Sequence, residues 1–393
     1  MKRLLVVANP FPPTASAGTA RILRFLRHLP AHGWEPTVLT VAADGPAEVP
    51  DLVRVARTPA LVPRRLLAGG RGAKVGDWLF VPDPYAPWVP TAVAAGVRLL
   101  REERFDAILS SHPRASTHVV ASCLARRTGV PWLADYRDRR FANIVRTYPT
   151  RAHALANRQL EAWVLRHAAA LTAINRPILD DIVALHPWLA GRDHVLPNGY
   201  DDADPVEPAE LGPGFWFVYT GRLYKRERPL EAFLTALAAM PDDVNALFAG
   251  DEPRVQPLAA RLGIGHRVRL ERHVPHARAL GLQRAADALL LVTHQRPESM
   301  SSKVFEYLSS GRPIFAVSAP STAAAKLLAE VGGGVVVGHD DDMREPLARF
   351  VAAVREGGGP AADPAALARY DMAAITAELA TILDAVAARG RGR

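Results

Sequence analysis

Two glutamates with seven residues between them, Glu298 and Glu306, bracket Met300, Ser301, Ser302 and Lys303 in "PESMSSKVFEYLSSGRPIFA", residues 297–316. Lys303 is one of 5 lysines in a chain with 43 arginines, so its place between two acids asks for a reason. A helix over about 302–310 puts Lys303, Glu306 and Tyr307 on one face near its start, with Glu298 on the loop leading in. The backbone N–H groups of residues 300–303 then lie at the positive end of a helix dipole, which suits an anion. An acid on either side of such a site can accept paired hydroxyls. The plainer reading is a surface helix with an i,i+3 Lys–Glu pair.

Other residue patterns exclude more than they suggest. "GGRGAK" (69–74) has the wrong spacing for a phosphate loop and reads as a turn. The acidic runs "DDAD" (201–204) and "HDDDM" (339–343) read as solvated turns rather than metal sites. No HExxH, GxSxG or paired-cysteine zinc spacing occurs, which removes the common hydrolase readings. His118 falls inside a helical pattern and reads as packing. Residues 58–90 mix basic, apolar and aromatic residues without clear periodicity. Arg64, Arg65, Leu66 and Leu67 there could give a weak peripheral membrane contact, against which stands an ordinary surface loop.

The elements that must position these residues are legible. At 393 residues the chain predicts two domains. Short β-branched runs alternate with helical periodicity throughout, the pattern of parallel sheets wrapped by helices. Residues 3–9 read as a first strand and 18–32 as a helix, followed by strands in "PTVLTV", "DAILSS", "PWLAD" and "ALTAI". A second series comprises "FWFVYT", "VNALFAG", "HRVRLE", "ADALLLVT", "RPIFAV" and "GGVVVG". The domains expected are 1–195, a linker over 196–214 rich in Pro, Gly and acid, 215–370, and a C-terminal helix over 371–393 packing back toward the first domain.

The net charge of +8 is uneven, +11 over residues 1–200 and −3 over 201–393. The first half therefore suits an anionic partner or a solvated basic face. The single cysteine, Cys123, fits a small buried hydrophobe in a reducing cytoplasm. No apolar run reaches the roughly 20 residues that span a bilayer, and nothing in the composition asks for nucleic acid.

The Glu, seven residues, Glu pattern resembles the signature of retaining glycosyltransferases of the GT-B fold, family four in particular. "NPFPPTASAGTAR" resembles that family's first glycine loop, at Gly18 and Thr19. "YTGRLYKRERPLEAF" resembles its phosphate clamp, with Arg222 matching and Lys225, Arg226 and Arg228 each able to stand for the lysine. "LPNGYD" resembles its Pro-Asn-Gly turn, and "FAGDEP" with "ERHVPHARAL" the base cradle, through Gly250 and the backbone of His273 and Val274. "SSHPRAS" and "LADYRDRR" are similar to a branch carrying "DFRDPW", which brings in His112, Asp135, Tyr136, Arg137 and Asp138. In this chain Tyr136 stands where that branch has Phe, and Arg139 and Arg140 where it has Pro-Trp.

The resemblance implies two Rossmann-like doubly wound domains facing across a cleft. It implies a nucleotide-diphosphate sugar as donor substrate, no separate cofactor, no metal, and transfer to a glycan, lipid-linked glycan or natural-product hydroxyl. Glu298 would orient the sugar and Glu306 the ribose. Arg222, Lys225 and Lys303 would neutralise the diphosphate, helped by the backbone of Met300, Ser301 and Ser302. Asp138, Arg137 and His112 would stand by the reacting centre, and Asp83, Tyr85, Trp88, Asp135 and Tyr136 near the acceptor. A nucleotide-sugar epimerase, a coupling enzyme for non-sugar cyclitols and a non-catalytic sugar-nucleotide-binding subunit of the same fold remain as other readings. The implied place is the cytoplasm, or the inner face of the membrane.

Overall fold

The computed structural model describes residues 1–14, 16–43, 53–61, 71–138, 148–221, 229–293 and 295–391. The chain divides into two units, residues 1–198 with 372–393, and residues 199–371.

The first unit is built on seven parallel strands: β1 (Lys2–Ala8), β2 (Trp34–Val41), β3 (Arg54–Thr58), β4 (Ala107–Ser111), β5 (Trp132–Tyr136), β6 (Ala170–Ala173) and β7 (Asp193–Val195). Their spatial order is β3-β2-β1-β4-β5-β6-β7, so the winding reverses between β1 and β4. Between them run α1 (Ala17–His28), α2 (Arg71–Leu79), α3 (Val89–Glu102), α4 (Ala115–Thr128), α5 (Arg151–Leu165) and α6 (Arg176–Leu185). Alternation sorts the strands into two cores. Leu5, Val7 and Ile108 pack with Leu99, Val120 and Leu165 on one face. Leu4, Val6 and Leu109 pack with Phe25, Leu379, Leu383 and Val386 on the other.

The second unit repeats the plan with β8 (Phe215–Thr220), β9 (Val244–Ala249), β10 (Val268–Glu271), β11 (Ala288–Val292), β12 (Ile314–Val317) and β13 (Gly334–Val337). The order β10-β9-β8-β11-β12-β13 reverses between β8 and β11. Its helices are α7 (Pro229–Ala238), α8 (Val255–Arg261), α9 (His276–Ala285), α10 (Lys303–Ser309), α11 (Ala323–Val331), α12 (Arg344–Arg355) and α13 (Pro364–Ala368), before α14 (Met372–Arg391) returns to the first unit. Its interior strands β8, β9, β11 and β12 are buried on both faces, as parallel strands under helices must be.

The structure departs from the sequence reading at several points. The helix at residues 18–32 stops as an α-helix at His28 and finishes as a 3-10 turn over Leu29–His32, because Pro30 has no N–H to continue the ladder. Of "GGRGAK", residues 71–74 begin α2 rather than a turn, and residues 69 and 70 lie outside the described residues. Within 196–214, Leu196 and Leu211 are buried and Glu207 donates its N–H to the Ala277 carbonyl, while most of residues 202–214 are exposed. Two edge strands, β3 and β7, went unread. Cys123 is half-buried against a core.

Candidate functional site

In open parallel sheets, ligands bind beyond the carboxyl ends of the strands where the winding reverses. The candidate residues of each unit gather there, and the two gatherings differ.

In the second unit Gly221 follows the end of β8 and Gly250 the end of β9. Gly250 has φ +154°, and a Cβ on it would fall 2.2 Å from the Gly221 carbonyl oxygen, so only glycine fits. Gly221, at φ +97°, leaves room for Lys303, whose Cε and Nζ would lie 3.0 Å from a Cβ there. Lys303 Nζ donates to Tyr219 Oη at 2.8 Å and stands 4.1 Å above that ring. The ammonium is thereby held beside a stretch of bare backbone.

Beyond β11 the chain turns at residues 296–299 and enters α10. Helix α11 fixes this turn: the N–H groups of Ala323 and Ala324 donate to the carbonyls of Pro297 (2.8 Å) and Ser299 (3.1 Å). Helix α11 is in turn seated by three hydroxyls, Thr293, Ser318 and Thr322, in contact at 2.7 Å each, and Thr322 caps the Ala325 N–H. Glu298 sits half-buried on the turn. One helix later, Glu306 Oε1 is 3.1 Å from His276 Nε2 at the start of α9. His273, just before α9, has φ +54°, the only positive φ among described residues other than glycine. Val274 packs partly into the core below. Behind the acids, Tyr307 is buried and its hydroxyl accepts the Thr220 N–H at 2.9 Å. Burial pushes that phenol up to about 12, with the Thr220 contacts pulling the other way.

Helix α10 begins at Lys303, and Ser301 Oγ accepts its N–H. Met300, Ser301 and Ser302 lie half-buried ahead of it. The structure thus brings together Glu298, residues 300–303, Glu306 and the Gly221–Gly250 pair. Arg222, Lys225, Arg226 and Arg228 lie outside the described residues, as do Arg139, Arg140 and Arg64 to Leu67.

In the first unit the polar groups are largely spent on one another. Asp135, at 1% exposure, is bonded by Arg21 through Nε (3.2 Å) and Nη2 (2.9 Å), by Ser111 Oγ at 2.7 Å and by Thr172 Oγ1 at 2.9 Å. Burial alone would raise this carboxyl, but the Arg21 charge and the three donors outweigh it and hold it below the usual range. Arg21 also donates to the carbonyls of Leu196 and Pro197 and to Asn198 Oδ1, which fastens the Pro-Asn-Gly turn from inside. Asp135 is therefore an internal tie and not an acceptor contact.

Two further acceptor candidates have the same fate. Asp83 is buried, its oxygens taken by the N–H groups of Tyr85 (2.8 Å) and Ser116 (2.9 Å) at the start of α4. Trp88 is buried and donates its indole N–H to Thr58 Oγ1. Tyr85 alone of that trio keeps a face toward water, under the Arg114 guanidinium at 4.9 Å. Tyr136 is fully buried, and burial, then Glu161, pushes its phenol well up.

Arg137 and Asp138 stay half-buried past the end of β5, with Gly18, Thr19 and His112 buried around them. A Cβ on Gly18 would fall 2.5 Å from Arg137 Nη1, so the glycine makes room for that guanidinium. The Thr19 N–H is capped by Ser16 Oγ, and its hydroxyl donates to the Thr14 carbonyl. His112 Nδ1 lies 3.0 Å from Asp138 Oδ1, its ring stacked at 5.6 Å on Tyr136 and on His118. His118 packs inward with Nδ1 on Ser110 Oγ, and burial, then His112, holds it neutral by lowering it well below the usual histidine range.

Among the described residues no group of three metal-capable side chains converges, and no helix is long and apolar enough to cross a membrane. Asp201 accepts the Ala203 N–H, and Asp341 that of Gly338, as acids in tight turns do.

Two all-parallel doubly wound units, each with polar residues at its reversal point, define the class of the protein as GT-B. Residues 16–199 match the Glycosyl transferase 4-like domain, and residues 214–354 match Glycosyl transferases group 1. The chain belongs to these glycosyltransferases of GT-B fold. A D-inositol 3-phosphate glycosyltransferase of Catenulispora acidiphila is 28% identical over 204 residues, 46% of this chain and 48% of that protein. The match thus spans about half the length of this curated relative. Among solved structures, Anabaena HepE in complex with UDP and glucose is 16% identical with TM-score 0.67, over 98% of this chain and 100% of that one. An α,α-trehalose 6-phosphate synthase of Burkholderia multivorans is 16% identical with TM-score 0.67, over 100% and 98%. These structures share the fold.

Proposed function

We propose that the chain is a retaining, metal-independent glycosyltransferase that moves a sugar from a nucleotide-diphosphate donor to an acceptor hydroxyl. The observation that carries this reading is the second unit's cluster: Glu298 and Glu306 on either side of Lys303, next to the Gly221–Gly250 pair at the end of β8 and β9. Bare backbone and an ammonium suit a diphosphate, and the two carboxylates suit vicinal hydroxyls. The relatives' names point the same way: HepE is described with UDP and glucose, and the Catenulispora protein acts on a phosphorylated inositol.

In this reading Glu298 accepts hydrogen bonds from the donor sugar and Glu306 from the ribose. The backbone at His273 and Val274 faces the base. Lys303, with Arg222 and one of Lys225, Arg226 and Arg228, neutralises the leaving diphosphate. The bond from the anomeric carbon to phosphate breaks as the acceptor oxygen adds on the same face. The departing phosphate oxygen takes the acceptor's proton, so no enzyme nucleophile is needed and the anomeric configuration is kept. Arg137, Asp138 and His112 are assigned to the transferred sugar and acceptor.

The test has two stages. Thermal shift with UDP, GDP, ADP and TDP finds the base, since a ligand of the native state raises its apparent stability. Turnover of the matching sugar nucleotides, with the product's anomeric configuration read by NMR, then tests transfer. An inverted product, a free epimerised sugar nucleotide, or binding without turnover across the panel would each overturn the reading.

A further inference from the structure

The strand that leads to Gly221 is gripped by two buried tyrosines, Tyr219 at 3% exposure and Tyr307 at 0%. Tyr219 belongs to β8 and packs into the core on one face of the sheet, while Tyr307 belongs to α10 and packs into the core on the other. Strand β8 keeps register with β11 only at Phe217 and Val218. Past that point the Gly221 N–H turns to the Ala249 carbonyl of β9, so the Thr220 N–H faces the side that β11 has left. A buried N–H there needs an acceptor, and the Tyr307 hydroxyl takes it at 2.9 Å. From α9, Gln283 Nε2 donates to Thr220 Oγ1 at 2.9 Å, with both residues buried.

Lys303 stands one turn before Tyr307 on the same helix. Its side chain passes over Gly221, within 3.0 Å of where a Cβ would stand, and its ammonium reaches the Tyr219 hydroxyl at 2.8 Å. Strand and helix are thus joined through two phenol oxygens used in opposite senses. One receives an N–H of the strand on a side chain of the helix, and the other receives the ammonium of the helix on a side chain of the strand. Neither phenol brings a charge of its own. What they fix is where the ammonium stands and where the backbone leaves the sheet at Gly221, immediately before Arg222. A displacement of about 1 Å at either place would spoil hydrogen bonding to an anion.

We infer that Tyr307 and Tyr219 are positioning residues for the donor's diphosphate, an assignment that rests on the reading of this cluster as a sugar-nucleotide site. Tyr307, with Gln283 behind Thr220, sets the backbone at Gly221, and Tyr219 sets the Lys303 ammonium. The two hydroxyls serve the diphosphate rather than the base or the sugar.

The experiment is calorimetric titration of the full chain with UDP, GDP, ADP and TDP and with the four matching monophosphates, which reads what the second phosphate adds to affinity. For the base that binds, Y307F should weaken the diphosphate about tenfold and Y219F several-fold, with the monophosphate within about twofold of wild type. Each variant keeps its ring and loses one oxygen, and Y219F leaves the ring under Lys303 in place. If Y307F does not fold, Q283L takes its place, since it loosens Thr220 without orphaning the N–H. A merely structural role would lower Tm and weaken both ligands in proportion. Equal loss for diphosphate and monophosphate, or loss of neither, would overturn the inference and leave the donor reading standing. Loss in one variant alone would remove the other tyrosine from the assignment. A wild type that binds no nucleotide, or gains nothing from the second phosphate, would overturn the donor reading and the inference with it.

Discussion

Both units place acids at or beyond the carboxyl ends of their sheet strands and use them in opposite ways. In the first, Asp135 stands at the end of β5 with both oxygens taken and its charge cancelled by Arg21, deep enough that water is gone. In the second, Glu298 and Glu306 stand at a turn and a helix start, half-buried, with backbone and hydroxyl groups fixing the frame around them. The difference teaches that an acid at a strand's carboxyl end is not by itself a ligand group. A carboxylate whose partners all come from its own fold stabilises that fold, and one whose surroundings are fixed while its own face stays accessible can meet a ligand.

The largest expected effect breaks the closed side of this comparison. D135A leaves Arg21 buried without its counter-charge and should destabilise the protein by about 3–5 kcal/mol, read by denaturant unfolding of the first unit. The pH dependence has a definite sign. Because the folded carboxyl is depressed, its contribution is complete above the ordinary aspartate value of about 3.9 and is lost as pH falls through the folded value. D135N should lack that part of the acid transition; an acid limb identical to wild type would contradict the assignment.

Next in size is the open side's backbone. G250A forces a Cβ toward the Gly221 carbonyl at a φ that side chains rarely adopt, and should cost roughly 3 kcal/mol in unfolding of the second unit. A wild-type Tm would show that the strand ends part easily. R222A should lower kcat/KM by a comparable amount, about 2–4 kcal/mol of transition-state stabilisation, with little change in stability. Equal turnover would remove Arg222 from the clamp.

E298Q sharpens the contrast between the two acids. It should weaken sugar-nucleotide binding or turnover by about 1.5–3 kcal/mol while leaving the free nucleotide's affinity and the Tm unchanged, unlike D135N. An effect on stability alone would make Glu298 another internal tie. The smallest effect is expected for T322A, which removes the cap of α11 and should cost about 1 kcal/mol of stability. Because α11 holds the Pro297 and Ser299 carbonyls, the same change should raise KM for the sugar nucleotide more than it lowers affinity for the nucleotide.

Most of this architecture was readable from residues. Every interior strand announced itself as an apolar run, because a parallel strand under helices is buried on both sides and cannot alternate. The two strands that went unread are edges: "RVART" is half polar and "DHV" is three residues long, since an edge is partly solvated and needs no apolar run. Helix α2 was missed because its apolar face is exposed, so its pattern of apolar residues looked like disorder in a mixed segment.

The open cluster was legible through the spacing of Glu298, Lys303 and Glu306, which lies in one continuous stretch. The closed one was not, because Arg21 and Asp135 are 114 residues apart. Arg21 sits in "ARILRFLRH" among other arginines and carries no local mark of its burial. The one available signal was Asp135 itself, an acid ending the apolar strand "PWLADY", which needs a buried cation from elsewhere. The same neglect of burial put Asp83 and Trp88 among acceptor contacts, where the structure uses one to cap a helix and the other to fill a core.

Helix α14 closes the chain by packing Leu379, Leu383 and Val386 into a core whose other members, Leu4, Val6 and Phe25, are made first. During synthesis those early apolar groups must wait, uncovered, until some 350 later residues have left the ribosome. The segment 199–371 is complete before then and can fold as an insert. The amino-terminal unit is thus the last to mature, and a chain cut short before Met372 would leave an oily sheet face exposed for chaperones and proteases to find.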